Sequence, residues 1–303
     1  MGVRGPEFMD PVVGAESLDG IPVRDRRAAR REPVRGRREP ALLAGAALAA
    51  ILTLFLGLPV VALVARALLG EALADVVRER VLLDALALSL LTTLVSLALA
   101  VVFGTPLAFI LARRRFRGAA LLETLVDLPI VLPPSVAGLA LLLLLGRRGV
   151  LGGQLEGLGI TIPFTTLAVI LAQAFVATPF YVRSLRSGFL AIDQDTEDAA
   201  RVDGAGEWDV FRLITVPLAA PAFATGLVMT WARALGEFGG TIMFAGNVEG
   251  RTQTLPLLVY SEFQSSLDAS VAAAAILVVA AASVLLGLRA IRWQTALAPG
   301  AVR

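Results

Sequence analysis

Six apolar runs, each close to the length of a membrane crossing, dictate what this chain can become. They cover approximately 41–65, 85–112, 128–145, 165–182, 216–235 and 271–288. A helix of about 20 apolar residues crosses a hydrocarbon core of about 30 Å, and within lipid each segment must satisfy its own backbone amides. Leucine and alanine dilute the β-branched residues in these runs, and no ten-residue alternation suggests a barrel. The expected fold is all-α, a polytopic membrane protein with six transmembrane helices. Composition agrees: 57% of residues are hydrophobic and 17% charged, with a mean hydropathy of +0.78, against about 45–50% and about 25% in soluble domains.

The charged residues that remain are unusual. All 27 basic residues are arginine, and lysine, histidine and cysteine are absent. A nucleotide-hydrolysing P-loop needs the lysine of its G-x-x-x-x-G-K-[ST] motif, so this chain cannot hydrolyse ATP in that way. Imidazole bases, thiolate nucleophiles and the usual zinc ligand sets are excluded by the same count. We therefore expect neither a catalytic residue nor a bound cofactor or metal, and the lack of cysteine leaves the redox compartment open.

Residues 1–40 are polar and arginine-rich, with eight arginines between Arg24 and Arg38. They read as a disordered tail. Gly2 to Phe8, ahead of a second methionine at Met9, read as an appended or misassigned start and carry no part of the argument. Beside an apolar run the arginines suit anionic headgroups, at about 1 kcal/mol each, and no nucleic-acid reader motif accompanies them. With the amino terminus inside, eighteen arginines flank the runs on the cytoplasmic side and six on the other. That asymmetry places both termini of a multi-pass chain, and the 197–218 segment, in the cytoplasm. With only a short stretch after the sixth run, the function is expected in the bundle and its loops.

Between the fourth and fifth runs lies the segment EDAARVDGAGEWDVFRLITVPL, Glu197 to Leu218. Asp195 or Thr196 is positioned to cap a short helix with Glu197 and Asp198 in its first turn. Ala199 and Ala200 leave room for a partner's backbone, and Gly204-Ala205-Gly206 breaks the helix. A second helix from Glu207 carries Trp208, Phe211 and Ile214 at three-residue spacing, and Pro217 begins the fifth run. By itself the pattern also suits an amphipathic helix lying at the lipid interface.

The pattern resembles the signature cytoplasmic loop of binding-protein-dependent ABC importer permeases, with Glu197, Ala199, Gly204, Ile214 and Pro217 at matching places. Asp198 stands where alanine is common in that family. The resemblance implies a type I importer permease: residues 41–65 as a first helix and 85–292 as the transmembrane domain, with residues 193–218 as a coupling loop. It also implies that ATP and magnesium are used by a separate ATPase dimer, against which Glu197, Asp198, Ala199, Ala200, Arg201, Gly204, Ala205, Trp208, Phe211 and Pro217 would dock. An extracytoplasmic oxyanion-binding protein, a second copy of the permease and the lipid bilayer complete the implied partners.

Two further stretches, Asp127 to Gly149 and Arg233 to Pro256, resemble molybdate permeases. Sulfate permeases share Pro129, the Ser-Val-Ala-Gly run and much of Arg233 to Gly239. The segment GRTQTLP, Gly250 to Pro256, favours the molybdate branch, with sulfate and tungstate as neighbouring alternatives. An ion-driven secondary transporter would carry acidic or histidine relays and paired repeats, and neither is evident. In the third run Pro133 and Pro134 remove two amide donors, so with Ser135 and Gly138 they mark either a packing kink or a break lining the path or its gate. Arg233 and Glu237, four residues apart, form either a self-neutralised structural pair or, through the arginine, an anion sensor.

Overall fold

The computed structural model describes residues 38–70, 73 and 79–296. The arginine-rich tail, apart from Arg38, thus lies outside the described residues, as do the side chains of Arg289 and Arg292. Every regular element among the described residues is helical. Residues up to Leu56 and from Gly57 onward form two compact units. In the first, the opening part of helix α1 (Arg38–Leu69) exposes every side chain from Leu42 to Leu56.

The second unit is built around α2 (Arg80–Arg113) and α6 (Thr166–Leu190), which pack along their lengths, with α9 (Ala220–Leu235) laid against both. Small residues make this approach close, as expected where lipid gives no hydrophobic drive between helices. A Cβ on Gly104 would meet the Tyr181 ring at 2.9 Å, and one on Gly188 would meet Ala222 at 2.2 Å. Polar side chains on the seam are buried but matched: Ser96 donates to the Ile170 carbonyl at 2.9 Å, and Gln173 donates to Thr93. The outer faces carry exposed Leu91, Leu94, Val102 and Phe103, the surface a lipid-facing helix needs.

Among the described residues four helices are long and apolar enough to cross a membrane, and the number is six when each of two bent pairs is one crossing. The expected number of crossings therefore stands, but two of them differ in form. The third was expected over 128–145, with a kink or break at Pro133 and Pro134. It is α3 (Ala119–Val131) and α4 (Pro134–Leu145), bent by 118°. Leu132 and Pro133 are extended, as a residue before proline prefers, and Pro134 starts the new helix where its missing N–H is harmless. The fifth was expected from residue 216. It is α8 (Glu207–Leu218) followed by α9 at 70°, so Pro217 ends the loop element and Pro221 takes the first turn of the crossing.

Pro106 and Pro179 lie inside helices that continue through them. Short α5 (Gly152–Gly157) follows α4. Two helices between the fifth and sixth runs were not foreseen: α10 (Gly239–Phe244) and α11 (Leu255–Ser265). Leu255 and Leu258 of α11 join Leu82 and Ala85 of α2 and Ala272 and Ala273 of α12 (Leu267–Ala296) in a buried cluster.

Candidate functional site: the elbow between the fourth and fifth crossings

Helix α6 ends at Leu190 and is followed at once by α7 (Gln194–Val202). The cap is neither Asp195 nor Thr196. Asp193 takes that place, its carboxylate accepting the Asp195 amide at 3.1 Å, because the chain already leaves extended geometry one turn earlier than the acidic pattern suggests. Asp195 and Glu197 then occupy the first turn, favourable beside the positive helix end.

Glu197 does not face outward. Its side chain is only 3% exposed, and Oε1 accepts from Arg113 Nη2 at 2.7 Å and from the Thr215 hydroxyl at 2.8 Å. One carboxylate thus ties together the end of α2, α7 and the turn leading to the fifth crossing. Arg113 is itself 9% exposed and its Nε has no partner. Such a pair is held by charge in a poorly solvated place, where breaking it costs far more than at a surface.

The outward face of α7 is formed instead by Asp195, Asp198, Ala199 and Val202, spaced three and four apart. Asp198 is 67% and Val202 87% exposed. Ala200 is half-buried toward the hinge. Gly204 closes the helix with φ +93°, a conformation that a side chain would strain, although no atom lies within 4 Å of where a Cβ would be. The Ala205 amide caps the Ala200 carbonyl at 2.9 Å. Across this hinge Arg201 donates to Glu207 at 2.8 Å and to Asp198 at 2.7 Å, fixing the angle between α7 and α8. The Glu207 carboxylate, with Asp198, holds the Arg201 guanidinium above its ordinary pKa.

Trp208, Phe211 and Ile214 are helical as expected, but not on a uniform α-helix. Phe211–Thr215 is one π turn, in which the Val216 amide reaches the Phe211 carbonyl. Such turns recur at functional sites. Here the turn coincides with Thr215, whose hydroxyl reaches Glu197. Phe211 packs edge-on against Phe109 at 5.3 Å, joining a buried aromatic cluster with Phe189 and Phe223, while Trp208 stacks on Phe211 from outside and stays 67% exposed. A cleft of ≈ 590 Å³, lined in part by Phe109, Arg113, Arg114, Gln194 and Glu207, opens between α2 and α7.

The second group of expected residues also comes together. A Cβ on Gly138 would meet the Gly240 carbonyl oxygen at 2.5 Å, and one on Gly239 would meet Pro134 at 2.9 Å and the Ser135 amide at 3.1 Å. Glu237, 1% exposed, accepts the Gly240 amide at 2.7 Å and pairs with Arg233. Both its oxygens are engaged within the fold. Pro133 is the extended link just before α4. Arg113, Thr215 and the π turn were missed from sequence; an arginine closing a 34-residue apolar helix was the available signal. Among the described residues no group of three His, Cys, Asp or Glu could hold a metal ion.

Comparisons with known proteins converge on one family. The chain is 44% identical over 141 residues, 46% of its length and 53% of the relative, to the molybdenum transport system permease protein ModB of Mycobacterium bovis. It is 42% identical over 110 residues, 36% of its length and 48% of the relative, to ModB of Escherichia coli K12. The chain thus spans about half the length of the curated relatives it matches. In fold it is similar to a bacterial ABC transporter involved in the import of the acidic polysaccharide alginate, with TM-score 0.65 at 19% identity over 85% of this chain and 96% of that one. An amino acid ABC transporter gives TM-score 0.53 at 18% identity over 74% and 99%. Residues 104–303 match the model of the binding-protein-dependent transport system inner membrane component, and the chain belongs to that family.

Proposed function

We propose that this chain is the membrane subunit of an ATP-driven importer and moves molybdate into the cytoplasm by alternating access. The observation that carries the reading is the two-sided elbow. Its inner side is bound to α2 through Arg113, Glu197 and Thr215, while its outer side exposes Ala199, Val202 and Trp208 beside Asp198, which is exposed and paired with Arg201. A short amphipathic helix with a free outer face suits a groove on a partner. That partner is a separate ATPase dimer, which uses the ATP and magnesium, and its closing motion enters through α7.

Molybdate is favoured by the names of the matched relatives. A divalent oxyanion cannot enter bare hydrocarbon, and a path that held it tightly would not release it. High affinity therefore belongs to an extracytoplasmic binding protein that delivers the ion, and a neighbouring structure of the fold is described in complex with a periplasmic protein. One elbow per chain matches two ATPases to a permease homodimer. Reconstitution in liposomes with the ATPase and binding protein tests this. ATP-dependent molybdate uptake that tungstate or sulfate competes with only weakly is expected; uptake without ATP, or of sulfate in preference, would overturn the reading.

A further inference from the structure

The two stretches that carry the oxyanion resemblance meet a second time, away from the elbow. Arg147, just beyond α4, and Arg251, of the GRTQTLP segment, line one cavity of ≈ 490 Å³ together with Thr161, Phe164 and Thr165. Thr165 caps α6 at the end of that helix remote from the elbow. We infer that this cavity is a receiving site for a tetrahedral oxyanion, taken up before the ion enters the bundle.

Three features support the assignment. No carboxylate lines the cavity, and neither guanidinium is in an ion pair among the described residues. Both arginines are exposed and so reachable from water, and a guanidinium offers paired N–H donors that suit an oxyanion. Thr161 adds a hydroxyl without a partner among the described residues, whereas Thr165 is committed to the Ile162 carbonyl at 2.6 Å. The start of 25-residue α6 contributes the positive end of its dipole.

The backbone beneath both arginines is also fixed. The Arg251 carbonyl accepts the Thr166 hydroxyl at 2.9 Å, and the Val248 carbonyl accepts the amides of Arg251, Thr252 and Gln253. Thr252 returns the contact by accepting the Val248 amide at 2.9 Å. Arg147 sits in a turn so tight that a Cβ on Gly152 would meet the Gly146 carbonyl oxygen at 2.0 Å. Phe164, with φ +61°, is the one non-glycine residue of positive φ among the described residues and rests against Gly246. Strain of this kind concentrates at ligand clamps and functional loops. Oxyanion binding in the cavity is argued from its lining, while the choice of molybdate as probe and the ion's onward passage into the bundle rest on the import reading.

Equilibrium dialysis of the full chain in neutral detergent against labelled molybdate tests the site. Saturable binding is expected, displaced by sulfate but not by the same concentration of chloride. Arg147→Gln and Arg251→Gln should each weaken it about tenfold, the loss of one charge-assisted hydrogen bond, while Arg148→Gln leaves it unchanged. Equal loss in Arg148→Gln, or equal displacement by chloride, would show unspecific surface charge and overturn the site. Molybdate binding that is lost on reconstitution into anionic phospholipid but kept in phosphatidylcholine would assign the arginines to headgroup phosphates and overturn it as well. Molybdate import by the wild type with unaltered binding in both lining variants sinks the cavity alone. Cavity binding in a chain that imports no oxyanion sinks the import reading alone.

Discussion

Removing one member of the Arg113–Glu197 pair leaves the other charged and buried without its nearest counter-charge, at about 3–5 kcal/mol, Glu197 keeping the Thr215 hydroxyl and a more distant Arg201 at 4.0 Å. Arg113→Ala should therefore lower the thermal unfolding temperature of the detergent-solubilised chain sharply. Arg113→Met combined with Glu197→Leu removes both charges and should recover most of that loss, since apolar replacement of a whole buried pair is often close to neutral. If the double variant is no more stable than the single one, the pair is not what holds α7 to α2. Glu197→Lys would place a cation against Arg113 and break the elbow from within, whereas variants of the exposed Asp198 and Trp208 test the proposed docking. The acidic-alanine-glycine pattern was legible as a short helix ended by a glycine break, but which acid faces outward depends on Arg113, 84 residues away.

At the scale of elements, the break at Pro133 and Pro134 was legible because two missing amides leave few alternatives. The start of α3 was not. Glu123 and Asp127 interrupt the apolar run, and only the structure pairs them with Arg186 at 2.7 Å and Arg183 at 3.6 Å from α6. The π turn was equally hidden, since Phe211 to Thr215 are ordinary helix residues and the extra residue is visible only in the hydrogen bond to Val216. The contact of α4 with α10 leaves no room for a methyl group, so Gly138→Ala should cost about 1–3 kcal/mol by overpacking. Thermal unfolding measures it. An unchanged midpoint would mean that the two backbones separate easily.

For the whole molecule, the arginine count and the six apolar runs give a topology that can be tested directly. The chain has no cysteine, so single cysteines can be introduced without removing any. A cysteine at Asp198 should react with an impermeant maleimide only in inside-out vesicles, and one at Arg251 only in right-side-out cells. The reverse pattern would place the elbow outside and remove its access to a cytoplasmic ATPase. The proposed alternating access also demands that something bend. With no side chain between Gly138 and the Gly240 carbonyl, α4 and α10 have no slack to give and must travel as one wedge. Flexing then falls to its two wrists, the extended link at Leu132–Pro133 and the short stretch from Gly236 to Phe238.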